Sequence, residues 1–312
     1  MNNVMVRANK FTRFTARLAV IVLFAALVSV VPFQAALATT TPFLGSAQSF
    51  AVLGATAVST SGPTTITGDL GISPNLVGSI TTIPPFSITG TIYGGPLSPA
   101  GQAQIDALAA YNALAGYGTA TDLSGQNLGS RTLTPGVYSS SDATALLNGP
   151  LVLNAGGIDG AFWIFKLAAA LTTGTSNGSS VQVINLGSNN GSDVGVFWLV
   201  GSSATLGDST AFEGNILAVT SITLDPSATI ENGRALALNG ALTLASTNTI
   251  SNVCPFPNLG PGFSGGLEFD QSGRVVPVGS SGPAPVPEPA TMLLLGSGLV
   301  GLAGFARRKF KN

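Results

Sequence analysis

From residue 195 to residue 253, apolar and small polar positions alternate in short runs, and one run is written three times. "SATLGDSTAFEGN" at 203–215, "SITLDPSATIENG" at 221–233 and "ALTLASTNTISNV" at 241–253 superimpose with spacings of 18 and then 20 residues. Thr205, Thr223 and Thr243 share one column, Leu206, Leu224 and Leu244 the next, and Phe212, Ile230 and Ile250 a third. An apolar residue beside a Ser, Thr or Ala is the period-two pattern of a half-buried strand. Each copy follows an apolar strand ("VFWLV", "NILAV", "RALAL") and closes on a third ("TAF", "ATI", "NTI"). Three short strands in about twenty residues, joined by Gly, Asn and Asp turns, is the length of one coil of a parallel β-solenoid.

Earlier segments fit the same ruler. "AFWIFKLAAALTT" puts Ala170 and Thr172 in the Ser/Thr columns, "TAVSTSGPTTITGD" puts Ala57 and Ser59 there, and "GSITT" adds Ser79 and Thr81. "ATALLNGPLVL" brings Leu146 beside the Thr column, and Asp225 borders it. One segment departs from the strand pattern. "SPAGQAQIDALAAYNALAGYG" predicts a helix over 99–115, with Ser98 as N-cap, Pro99 at the first position and Gly116 or Gly118 as the stop. Its apolar stripe of Ile105, Leu108, Tyr111 and Ala115 is expected to be the face laid on the solenoid.

The termini carry addresses. A basic start, an apolar run from Leu18 to Val31 and small residues at Ala36 and Ala38 read as a secretory signal peptide, residues 1–38. At the other end Pro287, Glu288 and Pro289 precede an apolar stretch from Met292 to Ala306 and the basic cluster Arg307–Lys311. Residues 254–286, rich in Pro, Gly and Ser, read as an extended linker. Four basic residues sit at each terminus, so the body keeps Arg131, Lys166, Arg234 and Arg274 against twelve acidic residues, a net of −8 that argues against nucleic acid as partner. One Cys, Cys254, allows no internal disulfide and reads as a buried hydrophobe, and the absence of His removes the usual general base. "GFSGG" around Ser264 is therefore a Gly-rich loop rather than a nucleophile elbow, and "GSGLVG" at Gly296, Gly298 and Gly301 lies inside the apolar tail with no preceding strand. No cofactor, metal or catalytic residue is expected.

Two resemblances follow from these motifs. The triplet, apolar span and basic tail at 287–312 resemble the PEP-CTERM sorting signal of Gram-negative bacteria. That resemblance implies an exosortase acting at Pro287, Glu288 and Pro289, a transient membrane anchor, and delivery to the cell surface or extracellular polymer matrix. In the body, "LGSAQSFAVLGATAVSTSGPTTITGDLGISP", "AYNALAG", "DLSGQNLGSRTLTPGVY", "VFWLVGSSATLG", "FEGNILAVTSITL" and "NGRALALNGALTL" occur in the order found in microbial ice-binding proteins with an irregular β-solenoid. The resemblance implies a mainly β fold over 39–253. This is an irregular right-handed parallel β-solenoid of triangular section, with one long α-helix packed along its side and its N-terminal coils stacked next to the C-terminal one. It also implies that a flat Thr, Ser and Ala face meets ice.

Coils about 4.8 Å apart, with alternate strand residues about 6.7 Å apart, turn two columns of small side chains into a rigid lattice close to repeats of ice. Thr suits such a lattice, because its methyl orders water, its hydroxyl bonds to it, and its β-branch holds one rotamer. The expected ice-binding residues are Ser59, Thr81, Thr172, Thr205, Thr223 and Thr243, flanked by Ala57, Ser79, Ala170, Ser203, Ser221 and Ala241. The third-strand column carries Glu213 and Glu231 and is the poorer surface. Expected partners are the ice surface, with signal peptidase and exosortase during export, for a monomer that touches membrane transiently. A matrix or polysaccharide-binding module is the alternative, which a row of exposed aromatics beyond Tyr93 and Tyr138 would favour. A solenoid lyase would need clustered acids for calcium and a nearby base. Mass spectrometry of protein from the culture medium should find a chain beginning near Thr39 and ending near Pro287–Pro289; full-length cytoplasmic chain alone would contradict both terminal assignments.

Overall fold

The computed structural model describes residues 43–174, 178–253, 262–270, 272–278 and 280; the leader, Cys254, the Gly296–Gly301 motif and the sorting triplet lie outside the described residues. Almost every strand pairs parallel to a strand one turn of the chain away, so the coils stack and their three sides form three faces. Face a is a seven-stranded sheet that runs Thr144–Leu147, Ala170–Thr173, Ala204–Leu206, Ile222–Leu224, Leu242–Leu244, Val58–Thr60, Ile80–Thr81. Face b carries Pro150–Asn154, Ser180–Ile184, the first halves of Ala211–Ala218 and Thr229–Ala237, then Asn248–Ser251, Thr64–Thr67 and Phe86–Ile88. Face c carries Gly136–Ser140, Phe162–Leu167, Gly195–Val200, the second halves of the same two long strands, then Phe50–Gly54, Asp69–Ile72 and Ile92–Gly94. The first coil thus pairs with the last, Val52 with Ala235 and Val58 with Leu242.

Local chemistry turns the corners. Between faces a and b, Ser209, Ser227 and Thr247 hold φ of 57°, 63° and 50°, a left-handed conformation disfavoured for residues with a Cβ. Coil-to-coil bonds hold them there: Ser209 N and Ser227 N donate to the carbonyls of Pro226 and Ser246, and the hydroxyls of Ser227 and Thr247 lie 2.8 Å apart. Between faces b and c the long strands bulge at Gly214, whose φ is 103°.

Inward side chains fill the interior with a continuous apolar stack. Val58, Ala204, Ile222 and Leu242 project from face a, Phe212, Ile230, Ile250 and Ile66 from face b, and all are fully buried. Aromatic rings climb the stack through Tyr138, Phe165, Trp198 and Phe212, with centroids 5.6, 3.9 and 5.0 Å apart. Face c is covered on its outer side as well, so Gly195–Val200 is buried at every position.

The cover is α1, Pro99–Ala115, whose Ser98 cap accepts from Ala100 N. Its packing corrects the sequence expectation. Ile105 and Leu108 are 63% and 47% exposed, whereas Ala100, Ala103, Ala107, Ala110 and Leu114 are buried against Phe50, Leu53, Phe197 and Leu236. Small residues let the helix axis approach a sheet that is itself studded with Phe and Leu; Ile105, Leu108 and Ala115 are left outside, and of the expected stripe Tyr111 alone packs partly against this cluster. At the far end Lys166 Nζ donates to Tyr117 O at 2.6 Å, placing a cation by the helix C-terminus.

A second correction concerns the expected linker. Gly262–Pro277 folds back onto the solenoid: Phe263 and Leu267 are buried, Ser264 bridges Gly195, and Leu267–Phe269 pairs antiparallel with Val275–Pro277. Phe43 closes this seal, its ring stacked on Phe269 at 4.8 Å and edge-on to Phe197 at 5.4 Å. Ala107→Leu should therefore destabilise by about 1–3 kcal/mol by forcing α1 off face c, while Ile105→Ser, on the exposed stripe, stays within about 0.5 kcal/mol. Urea unfolding of the two variants checks the assignment of the buried face.

Candidate functional site

Alternation on face a sends one set of side chains into the core and the other to solvent. The ladders place Leu146, Thr172, Thr205, Thr223, Thr243, Ser59 and Thr81 directly beside one another, an unbroken row across seven strands. Thr172, Thr205, Thr223, Thr243 and Ser59 are partly exposed, and Thr81 is exposed. Among the described residues, the hydroxyls of Thr172, Thr205, Thr223 and Thr243 have no protein partner and are left to water. Leu146, 42% exposed, ends the row with an apolar side chain in place of a hydroxyl.

Two residues earlier lies a second row. Thr144 pairs with Ala170, and the amides of Leu171, Ala204, Ile222 and Leu242 donate to the carbonyls of Ser203, Ser221, Ala241 and Ala57 at 2.9–3.1 Å. Ser79 closes this row less regularly, because Val77–Ser79 is a 3-10 turn. Here the hydroxyls are engaged: Ser203 Oγ lies 2.8 Å from Thr220 Oγ1, and Ser221 Oγ accepts from Ala241 N at 3.2 Å. The flank is thereby stiffened by its own bonds. Neither row contains a charge. Asp225 stands at the border with face b, its carboxyl pushed up by burial and by nearby Asp208.

Face b has a row that the sequence reading passed over. Pro150, Ser180, Ala211, Thr229, Thr249, Thr65 and Ser87 are in register, a pattern signalled by the alternation Thr65, Thr67 and Thr249, Ser251. Its neighbouring row is less uniform, pairing Val152 with Gln182, Glu213 with Glu231 and Ser251 with Thr67. Glu213 Oε2 accepts from Val183 N at 2.7 Å, and burial, with a contribution from the adjacent Glu231, raises its carboxyl to about 7 against the opposing effect of that bond.

Other chemistry is sparse. Two clefts of about 480 Å³ flank α1, one lined by Ile105, Leu108, Gln104 and Pro74, the other by Tyr111, Asp122 and Lys166. No group of three or more His, Cys, Asp or Glu side chains converges among the described residues. Tyr138 is buried on Phe165, and Tyr93 leans on Phe50 with ring centroids 5.8 Å apart, so neither is the exposed aromatic that the sequence suggested. Ser264 is buried with its Oγ accepting from Gln48 Nε2, a structural loop position. Arg234, which composition alone marked as one of four scattered cations, is fully buried.

The fold has counterparts among known proteins. The family model described as ice-binding-like matches residues 52–251, and a PEP-CTERM protein-sorting motif matches residues 285–309. An ice-binding protein of Nostoc sp. (strain HG1) is 42% identical over 86% of this chain and 88% of its own length, and one of Flavobacterium frigoris (strain PS1) is 32% identical over 66% and 75%. Among solved structures, an ice-binding protein from an Antarctic biological consortium superimposes with a TM-score of 0.59 at 37% identity, covering 71% of this chain and 95% of that one. That of the Antarctic ascomycete Antarctomyces psychrotrophicus gives 0.60 at 36%, covering 68% and 98%. The parallel solenoid, its helix and these likenesses together show that the chain belongs to the ice-binding-like family.

Proposed function

We propose that the protein adsorbs to ice through face a and so slows ice growth and recrystallisation. The observation that carries this reading is the row Thr172, Thr205, Thr223, Thr243, four threonines on successive strands with free hydroxyls and no charge in their own row or in the flanking row of Ser203 and Ser221. With coils about 4.8 Å apart, such a row offers water a fixed array of alternating methyl and hydroxyl groups. The β-branched side chains and the bonded Ser203 and Ser221 are already ordered before docking, which lowers the entropy cost of binding. Flanking residues Ala57, Ser79, Ala170, Ser203, Ser221 and Ala241 complete the surface, with Thr144 extending it.

The protein acts without enzymatic chemistry and as a monomer in this reading, and its relatives are named for ice binding rather than for a reaction. The sorting motif supports release to the surface or medium of a Gram-negative cell after exosortase acts near Pro287, Glu288 and Pro289. A matrix-binding role has less in its favour, since the described surface offers no row of aromatic platforms among its tyrosines.

Substitutions discriminate the faces. Thr223→Tyr should abolish most thermal hysteresis and recrystallisation inhibition with little change in melting temperature, because an outward ring breaks flatness without opening a void. Ile222→Ala, one residue away and buried, should instead destabilise by ~2–5 kcal/mol. Glu231→Tyr and Thr249→Tyr on face b should leave activity nearly intact; loss of activity in those two with retention in Thr223→Tyr would move the site to face b.

pH separates stability from activity. Glu213 holds its proton up to about 7 in the folded chain, whereas an unfolded chain gives it up near the ordinary 4.5. The folded state binds more protons between those values, so stability falls as pH rises through that window and levels off above it, by roughly 3 kcal/mol at most. Glu213→Gln should flatten the profile in a melting series from pH 4 to 8. Hysteresis should stay level across the same range, because no row residue of face a titrates there.

A further inference from the structure

Chain order conceals a seam in the stack. Coils follow one another along the chain from Gly136 to Ser251, yet the next neighbour in space is the first coil, where Val52 pairs with Ala235, Ser59 with Thr243 and Thr65 with Thr249. No short connection crosses there. After the first two coils the chain departs through α1 and re-enters at the opposite end of the stack, where Thr121–Asp122 pairs with Gly136–Ser140. Face a therefore has Ser59 and Thr81 on one side of the seam and Thr172, Thr205, Thr223 and Thr243 on the other.

A charged side chain is sealed at this junction. Arg234 is 0% exposed and occupies the ladder position held by Phe197 and Asn215 in the two coils before it. Its Nε and Nη2 donate to Gln48 O at 3.0 and 2.7 Å, and its Nη1 donates to Asn215 Oδ1 at 2.6 Å. Gln48 belongs to the 3-10 segment that leads into the first strand, so the guanidinium, on the covered outer side of face c that Phe197 shares, ties the late coils to the entrance of the first. Supporting bonds cross beside it: Asn252 Nδ2 donates to Ser49 O at 2.8 Å, and Gln104 Nε2 on α1 donates to Ala237 O at 2.9 Å.

Burial of the inward column opposes a one-residue slip but not a slide of two residues, which keeps the alternation, whereas a buried guanidinium tolerates no loss of its acceptors. A two-residue slip of the first coil would put Ala57 or Ser61 in the place of Ser59 beside Thr243 and break the row. We infer that Arg234 is a positioning residue for face a: by fixing Gln48 against the last coil it sets the register in which Ser59 and Thr81 continue the threonine row. The activity part of this inference rests on the proposed ice-binding reading; the register part does not.

Arg234→Met and Arg234→Lys in the mature chain test it by hydrogen exchange and hysteresis. Exchange of amides in 50–67 and 242–251 should accelerate about tenfold or more, with 195–217 changed less than about twofold. Thr81→Tyr should lower hysteresis in the parent, add nothing in the Arg234→Met background, and leave a remainder that Thr205→Tyr removes. Arg234→Lys, which keeps the charge and can reach one acceptor, should fall between, and it carries the test if the Met variant does not fold. Uniform acceleration in all coils, or an equal effect of Thr81→Tyr in both backgrounds, would overturn the inference. Should neither tyrosine affect the parent's activity, the ice-binding assignment of face a fails while the exchange pattern still decides the seam.

Discussion

Everything on the surface of this molecule depends on the parallel ladder between coils. Each backbone pairing fixes the height and register of the coil beside it, and side-chain direction follows from the strand's twofold alternation. Because Ala204 pairs with Ile222 and Ile222 with Leu242, the residues between them have no choice but to form a straight outward row. Hydrophobic burial supplies the drive, since the inward column is fully enclosed from Val58 through Leu242. The regularity outside is thus a by-product of the packing inside.

The three faces share one backbone plan and differ in what covers them. Face c is dry on both sides, so its strands read as continuous apolar runs such as Gly195–Val200. Face b is wet but bears carboxylates, one of which, Glu213, is partly enclosed and bonded across coils to Val183. Face a is wet and uncharged in both rows. A body of net −8 thus keeps one exposed sheet with no charge in either of its two outward rows, while face b carries Glu213 and Glu231.

Legibility in the sequence tracked how local the cause was. The coil pattern and the threonine column could be read because spacings of 18 and 20 residues place like residues in register without reference to anything distant. α1 was visible through Ser98 and Pro99, but its buried side was not, because that choice belongs to the sheet beneath: Phe50, Leu53 and Leu236 leave room for alanines and none for Ile105. The return of Gly262–Pro277 was obscured by its Gly and Pro content, although Leu267–Phe269 and Val275–Pro277 flank a turn in which Asp270 accepts from Ser272 N and Arg274 N. Arg234 was hidden most completely, since its acceptor Gln48 lies 186 residues away. The row on face b was in plain view at Thr65 and Thr249, but the carboxylates Glu213 and Glu231 stand in the row beside it and masked its uniformity.

The pairing of first coil with last also bears on the order in which the molecule can be made. Phe50–Thr67 leaves the ribosome early, but its partners in Thr229–Ala237 and Asn248–Ser251 come much later, Ala235 being 183 residues after Val52 and Thr249 being 184 after Thr65. Until they arrive, the early coils present unpaired backbone edges and an open apolar cross-section, and closure waits on contacts of long sequence separation, which form slowly. A chain threaded through a membrane in an extended state avoids that exposure inside the cell, because its beginning and end reach the same side before either needs the other. Topology of this kind favours a protein completed after crossing.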